Sequence, residues 1–151
     1  MTETLSQFLT FSLGKEAYGI EILQVQEIKG YTTITAIPNT PDFIRGVMNL
    51  RGTVVPIVDL RLMFGMAAAE YDKFTVIIVV TVGGRVVGLV VDAVSDVLDV
   101  VPEDVERTPE LGSGIDTSYL TGLAKSGEQL VMLLDISRVV STEHLGSLAA
   151  A

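Results

Sequence analysis

Three aspartates stand directly behind apolar runs: Asp59 after Pro56-Ile57-Val58, Asp92 after Leu89-Val90-Val91 and Asp135 after Met132-Leu133-Leu134. Carboxylates at strand ends are candidates for general acid or base chemistry in a hydrolase or phosphotransferase. Asp59 and Asp135, however, each precede a stretch with helical character, where a carboxylate satisfies the free N–H groups of a first turn. The only histidine is His144, near the C-terminus, and there is no cysteine. Imidazole- or thiolate-based metal sites and histidine-dependent triads therefore lack their parts. The glycine pairs lack the strand-to-helix context and the Lys-Ser/Thr of a phosphate cradle. No catalytic residue, no metal site and no cofactor is expected.

A second pattern invites recognition rather than catalysis. Between Phe43 and Asp59 two Arg-Gly pairs, Arg45-Gly46 and Arg51-Gly52, interrupt an otherwise apolar stretch. Their even spacing puts Arg45 and Arg51 on one face of any continuous strand. On one reading they are solvated charges at strand ends. On the other, the glycines permit close backbone approach while the arginines offer forked donors to a partner carboxylate.

The elements that must position these residues occur twice. Residues 11–22 align without a gap on 80–91, 43–47 on 119–123, and 55–60 on 131–136, in the same order. The offset is larger for the later blocks, so the long insertion after Pro102 belongs to the second half. Repetition of this kind means repeated architecture. Strands are expected over 7–13, 17–20, 44–50, 52–58, 73–82, 85–91, 94–101, 119–124 and 130–134, with Gly83-Gly84 as a hairpin turn. Short helices are expected over 22–28 and after Asp59 and Asp135, and residues 66–72 are the best candidate for a crossing between lobes. The fold class is all-β with a few short helices: two similar, intertwined five-stranded β-barrel lobes around a shared apolar seam. The first lobe spans about 15–70 and the second about 71–145, with strand exchange by the N-terminal segment and a flexible tail at 146–151.

Composition narrows the partners. Apolar residues make up 48% of the 151, enough for a core, and acids outnumber bases 19 to 10 for a net charge of −9. A nucleic-acid surface needs clustered Lys and Arg, and an oligonucleotide-binding barrel needs basic and aromatic strands, so nucleic acid is not an expected partner. The apolar runs are strand-length, short of the roughly 20 residues of a spanning helix. The N-terminus also lacks a signal-peptide pattern. A cytoplasmic protein without direct membrane insertion is the expectation. The rival from another class is a small acidic-barrel enzyme using Asp59, Asp92 or Asp135.

Several segments taken together resemble the CheW family of bacterial chemotaxis coupling proteins. They are Tyr18-Gly19-Ile20, Val25-Gln26-Glu27-Ile28, the run from Phe43 to Gly52, the run from Pro56 to Arg61, the run from Val91 to Val97, and Tyr119-Leu120-Thr121-Gly122-Leu123. The likeness extends from about Gln7 to Leu145. It implies a non-catalytic adaptor that ties the histidine kinase CheA, through its regulatory domain, to the cytoplasmic tips of methyl-accepting chemoreceptors. Such an adaptor is recruited through those receptors to the inner face of the membrane. The receptor-facing positions it implies are Val25, Glu27, Ile28, Arg51, Val86, Val87 and Val97. The kinase-facing ones are Arg45, Gly46, Val47 and Thr53, and a second-lobe contact used in ring assembly falls at Glu106 and Leu111. The same domain occurs inside the kinase and in fusions to a receiver domain, and the chain's length implies the stand-alone form.

Overall fold

Among the described residues, runs of Val and Ile between glycine turns fold as ten strands, because β-branched side chains fit a pleated surface and glycine reverses the chain at no steric cost. The computed structural model describes residues 6–106 and 119–140. In chain order the elements are β1 (Ser6–Leu13), β2 (Glu16–Glu21), a 3₁₀ turn (Ile22–Gln24), β3 (Val25–Gly30), β4 (Ile44–Leu50), β5 (Thr53–Asp59) and α1 (Leu60–Met63). The second half repeats them: β6 (Val76–Val82), β7 (Arg85–Val91), β8 (Ala93–Val100), a 3₁₀ turn (Pro102–Asp104), β9 (Leu120–Ser126), β10 (Gln129–Leu134) and α2 (Ile136–Val140).

The strands form two five-stranded mixed sheets, ordered β8-β1-β2-β10-β9 and β3-β6-β7-β5-β4. Each sheet takes one hairpin from the opposite half: β1–β2 lies among β8, β9 and β10, and β6–β7 lies among β3, β4 and β5. The join is parallel in both cases, β2 on β10 and β7 on β5, and the other pairings are antiparallel. The chain changes sheet at the first 3₁₀ turn and again at Asp92. Residues 64–75 begin and end on the same sheet, so the crossing expected over 66–72 does not change sheet.

Most central strands are buried on both faces. In β7, Val87, Leu89 and Val91 enter a core shared with Leu9, Phe11, Leu13, Tyr18 and Ile20 of the other sheet, the apolar seam. Val90, with half-buried Val86, faces a second core with Val55, Ile57, Ile77 and Val79. A third, around Phe8, Val100, Val131 and Leu133, fills the other sheet. This alternation follows from the two-residue period of a strand, and it explains why the strands read as nearly continuous apolar runs.

Two further expectations are corrected. The helix expected over 22–28 is a single 3₁₀ turn followed by edge strand β3, which pairs with β6. Secondly, neither sheet is a closed barrel: among the described residues no ladder joins the edge strands of either sheet. A single bridge serves instead in each, Thr35 with Val47 and Glu106 with Leu123. In the β3-β6-β7-β5-β4 sheet the segment after Thr35 contains Pro38 and Pro41, which lack the N–H a longer ladder needs. The tail at 146–151 lies outside the described residues.

Candidate functional site

The β4–β5 turn is the local feature that builds the site. Both of its central residues have positive φ, +49° at Arg51 and +89° at Gly52, the pattern of a two-residue hairpin turn matched to strand twist. Glycine adopts this freely, but arginine does so at a cost of about 1–2 kcal/mol. The Asn49 side-chain oxygen accepts the Gly52 N–H at 2.8 Å and fixes the turn. From that position Arg51 donates to the Glu27 carboxylate on β3. Because β3 and β4 are the opposite edges of one sheet, this pair shows how strongly the sheet curls. The Arg51 guanidinium holds the Glu27 carboxyl below its ordinary range, chiefly through that hydrogen bond.

Beside the pair lies a hollow of about 170 Å³ lined by Gln26, Leu50, Arg51, Thr53 and Val86. The Thr81 hydroxyl donates to the Gln26 side-chain oxygen at 2.8 Å and holds one wall. Ile28, 44% exposed, follows Glu27 on the same edge strand. Glu27, Arg51 and Val86, expected together, are therefore together, and Ile28 and half-buried Val25 share β3 with Glu27. Val87 is 2% exposed and packs in the seam, whereas Val97 is exposed on β8 of the other sheet. Thr53, assigned to the kinase-facing set, lines this same hollow.

The rest of that set lies on β4. Arg45 is exposed and Val47 half-buried. Gly46 is buried and pressed against the Thr35 carbonyl, with φ +140°. The strand ends at Leu50, so Arg45 and Arg51 do not share a face: Arg51 turns to Glu27, while the Arg45 guanidinium sits 6.0 Å over the Tyr71 ring. Glu106 exchanges backbone hydrogen bonds with Leu123 at 2.8 Å and pairs with Lys125 at 3.3 Å. Leu111 lies outside the described residues.

The three aspartates have structural partners. Asp59, 3% exposed, caps α1 by accepting the Arg61 N–H at 2.9 Å, and also accepts the Tyr71 hydroxyl at 2.6 Å. Burial, then this bond to a carboxylate, pushes the Tyr71 phenol up. Asp135 accepts the Ser137 N–H at 3.1 Å at the start of α2, as its repeat position predicted. Asp92 takes both prongs of Arg61, at 2.8 and 2.7 Å, and the Gly14 N–H at 2.7 Å. It thus ties α1 to the β1–β2 turn, and the Arg61 bond holds its carboxyl below the ordinary range. Sequence reasoning missed Gln26, Tyr31 and Tyr71. Nothing in the spacing of these residues pointed to the side chains they meet.

Comparison with known proteins agrees with this architecture. The CheW-like domain family model matches residues 7–144. The chain is 53% identical over 144 residues to the chemotaxis protein CheW of Klebsiella aerogenes, covering 95% of this chain and 87% of that one. It is 39% identical over 138 residues to the CheW of Rhizobium meliloti, covering 91% and 89%. The crystal structure of the scaffolding protein TtCheW from Thermoanaerobacter tengcongensis is similar with a TM-score of 0.85 at 33% identity, over 95% of this chain and 92% of that one. The chain belongs to the CheW family, the non-catalytic scaffolding and coupling proteins of chemotaxis.

Proposed function

We propose that this adaptor couples the cytoplasmic tips of methyl-accepting chemoreceptors to the regulatory domain of the histidine kinase CheA, working at the inner face of the membrane without inserting into it. The observation that carries the reading is the hollow beside Glu27 and Arg51. It has an apolar wall at Leu50 and Val86 and a charged rim, and exposed Ile28 follows on the edge strand. A receptor tip is a helical bundle, and a helix docks by setting an apolar stripe into a groove while its polar residues meet the rim. Val25, Glu27, Ile28, Arg51, Val86 and Val97 form the receptor-facing set, with Val87 supporting it from within. Arg45, Val47 and Thr53 meet the kinase, over the backbone shape that Gly46 allows. Each sheet curls as a barrel-like lobe, intertwined with the other through its exchanged hairpin. The lobe boundaries at about 15–70 and 71–145 mark the two repeated units, each of which lends a hairpin to the other's sheet, and Glu106 and Leu111 in the second supply the ring contact. Two comparable surfaces used head to tail close into rings.

The test is a pull-down with a receptor cytoplasmic fragment and with the kinase regulatory domain, separately and together. A ternary complex in which neither partner displaces the other is expected, and Arg51→Glu is expected to lose the receptor fragment while keeping the kinase domain. Wild-type receptor affinity in Arg51→Glu refutes the groove assignment, and mutual displacement refutes the two-surface division. No helix among the described residues is long and apolar enough to cross a membrane.

A further inference from the structure

We propose that Tyr71 is the positioning residue for Arg45, with the buried Asp59 carboxylate anchoring its ring through the phenol hydroxyl. This rests on the reading that Arg45 belongs to the kinase-facing surface. Tyr71 lies in the segment between α1 and β6, while Arg45 lies on β4 and Asp59 at the end of β5. Three contacts converge on its ring. The hydroxyl donates to Asp59 Oδ2 at 2.6 Å, the Tyr31 ring lies against it tilted by 41° at 4.3 Å between centroids, and the Arg45 guanidinium sits 6.0 Å above the ring centroid. Asp59 is itself fixed, because its other oxygen caps α1 and its N–H donates to the Phe43 carbonyl at 2.7 Å. An arginine on a solvent-facing strand position samples many rotamers, and holding it against an aromatic face removes part of that freedom before a partner arrives. Asp59 and Tyr71 thus carry order from the buried end of β5 to an exposed cation two strand positions from the Thr35–Val47 bridge.

A double-mutant cycle tests this, with binding of the CheA regulatory domain as one readout and the ring-current shift of the Arg45 side-chain resonances in the free adaptor as the other. Tyr71→Leu is expected to weaken kinase-domain binding about two- to five-fold, the scale of an exposed cation–π contact. It is expected to abolish the ring-current shift and to have no further effect in an Arg45→Ala background. Tyr71→Phe keeps the ring and its bulk but loses the Asp59 anchor, so the shift should shrink without vanishing. If Tyr71→Leu weakens binding equally with and without Arg45, the positioning role is overturned while the kinase-facing surface stands. If Arg45→Ala binds the kinase domain like wild type, the surface assignment fails, and persistence of the Arg45 shift in Tyr71→Leu overturns the positioning as well. A Tyr71→Phe adaptor with wild-type shift and affinity overturns the part given to Asp59.

Discussion

Gly46→Ala should unfold the protein more readily than its small size suggests. A Cβ on Gly46 would stand 2.0 Å from the Thr35 carbonyl oxygen, 2.7 Å from its carbonyl carbon and 3.0 Å from the Ala36 Cα. All three are backbone atoms, so no rotamer change relieves the overlap. Thr35 is held there by two hydrogen bonds with Val47, each at 2.9 Å. Relief therefore means displacing the segment and losing both bonds, at a net of roughly 1 kcal/mol each. The φ of +140° adds about 1–3 kcal/mol for any residue with a side chain. The expected loss is about 3–5 kcal/mol, a large share of the 5–15 kcal/mol typical of a whole domain. The repeat supplies the control. A Cβ on Gly122 would meet the Val105 Cγ1 at 2.5 Å and the Glu106 carbonyl oxygen at 2.7 Å, but its φ is outside the left-handed region. Val105 can also turn aside, so Gly122→Ala should lose less, about 1–3 kcal/mol. Urea unfolding at unchanged m-value measures both, and amide exchange at Thr35 and Val47 reports whether the bridge has opened. A Gly46→Ala midpoint within about 0.5 kcal/mol of wild type would refute the reasoning, as would a larger loss at Gly122. If Gly46→Ala shows the expected loss, weak kinase binding by Gly46→Asp reflects a displaced segment as much as a blocked contact.

Arg51→Gly should separate stability from coupling: it relieves the left-handed strain while removing an exposed ion pair that solvent screens. Urea stability should hold or rise by about 1 kcal/mol as receptor binding falls, and a clear loss of stability would show that the pair matters more than the strain. Val87→Ala should lose about 1–3 kcal/mol because the residue is in the seam, whereas Ile28→Ala should leave stability almost unchanged and reduce receptor binding; equal stabilities in calorimetry contradict this. Asp92→Asn should weaken the Arg61 clamp by about 1–3 kcal/mol at neutral pH. Since the folded state lowers the Asp92 pKa, the clamp contributes fully above the ordinary value of 3.8 and fades as pH falls below it. The stability difference between wild type and Asp92→Asn should therefore narrow on acidification, and a constant difference down to about pH 2 would assign its effect to shape alone.

Strands, hairpin turns and caps were legible because each depends on neighbours in sequence. Gly83-Gly84 predicted the β6–β7 turn, and both residues do have positive φ. Asp59 and Asp135 predicted their helices. The helix expected over 22–28 failed for a definite reason: Leu23, which supplied part of the apparent helical spacing, is 94% exposed and belongs to no core. Apolar periodicity reads burial only when apolar residues are buried. The even spacing of Arg45 and Arg51 misled in a similar way, since it assumed a strand that in fact ends one residue before Arg51. Barrel closure was beyond reach because it depends on whether distant edges meet by a ladder or by one bridge. Contacts such as Tyr71 to Asp59 and Arg51 to Glu27 join different elements, and their chemistry leaves no mark on local spacing.

The internal repeat also helps to separate scaffold from specificity. Features present in both halves serve the fold: the paired glycines at the bridges, the parallel joins of β7 on β5 and β2 on β10, and the N–H donations from Asp59 to Phe43 and from Asp135 to Tyr119 at 2.7 and 2.8 Å. Features present in one half are free to serve a partner. At the β9–β10 turn, Gly127 supplies the positive φ that Arg51 adopts at the β4–β5 turn. Asp59 has the Tyr71 hydroxyl, whereas Asp135 has Ser137 and Arg138. An arginine at a glycine position, and a tyrosine over a helix cap, are departures that folding alone does not require, since among the described residues the other half folds without them. Both departures occur beside the surfaces proposed for receptor and kinase. On the proposed assignment, the shared residues hold two similar curled sheets in register, and a few unshared side chains at the rim of the β3-β6-β7-β5-β4 sheet supply the chemistry offered to receptor and kinase.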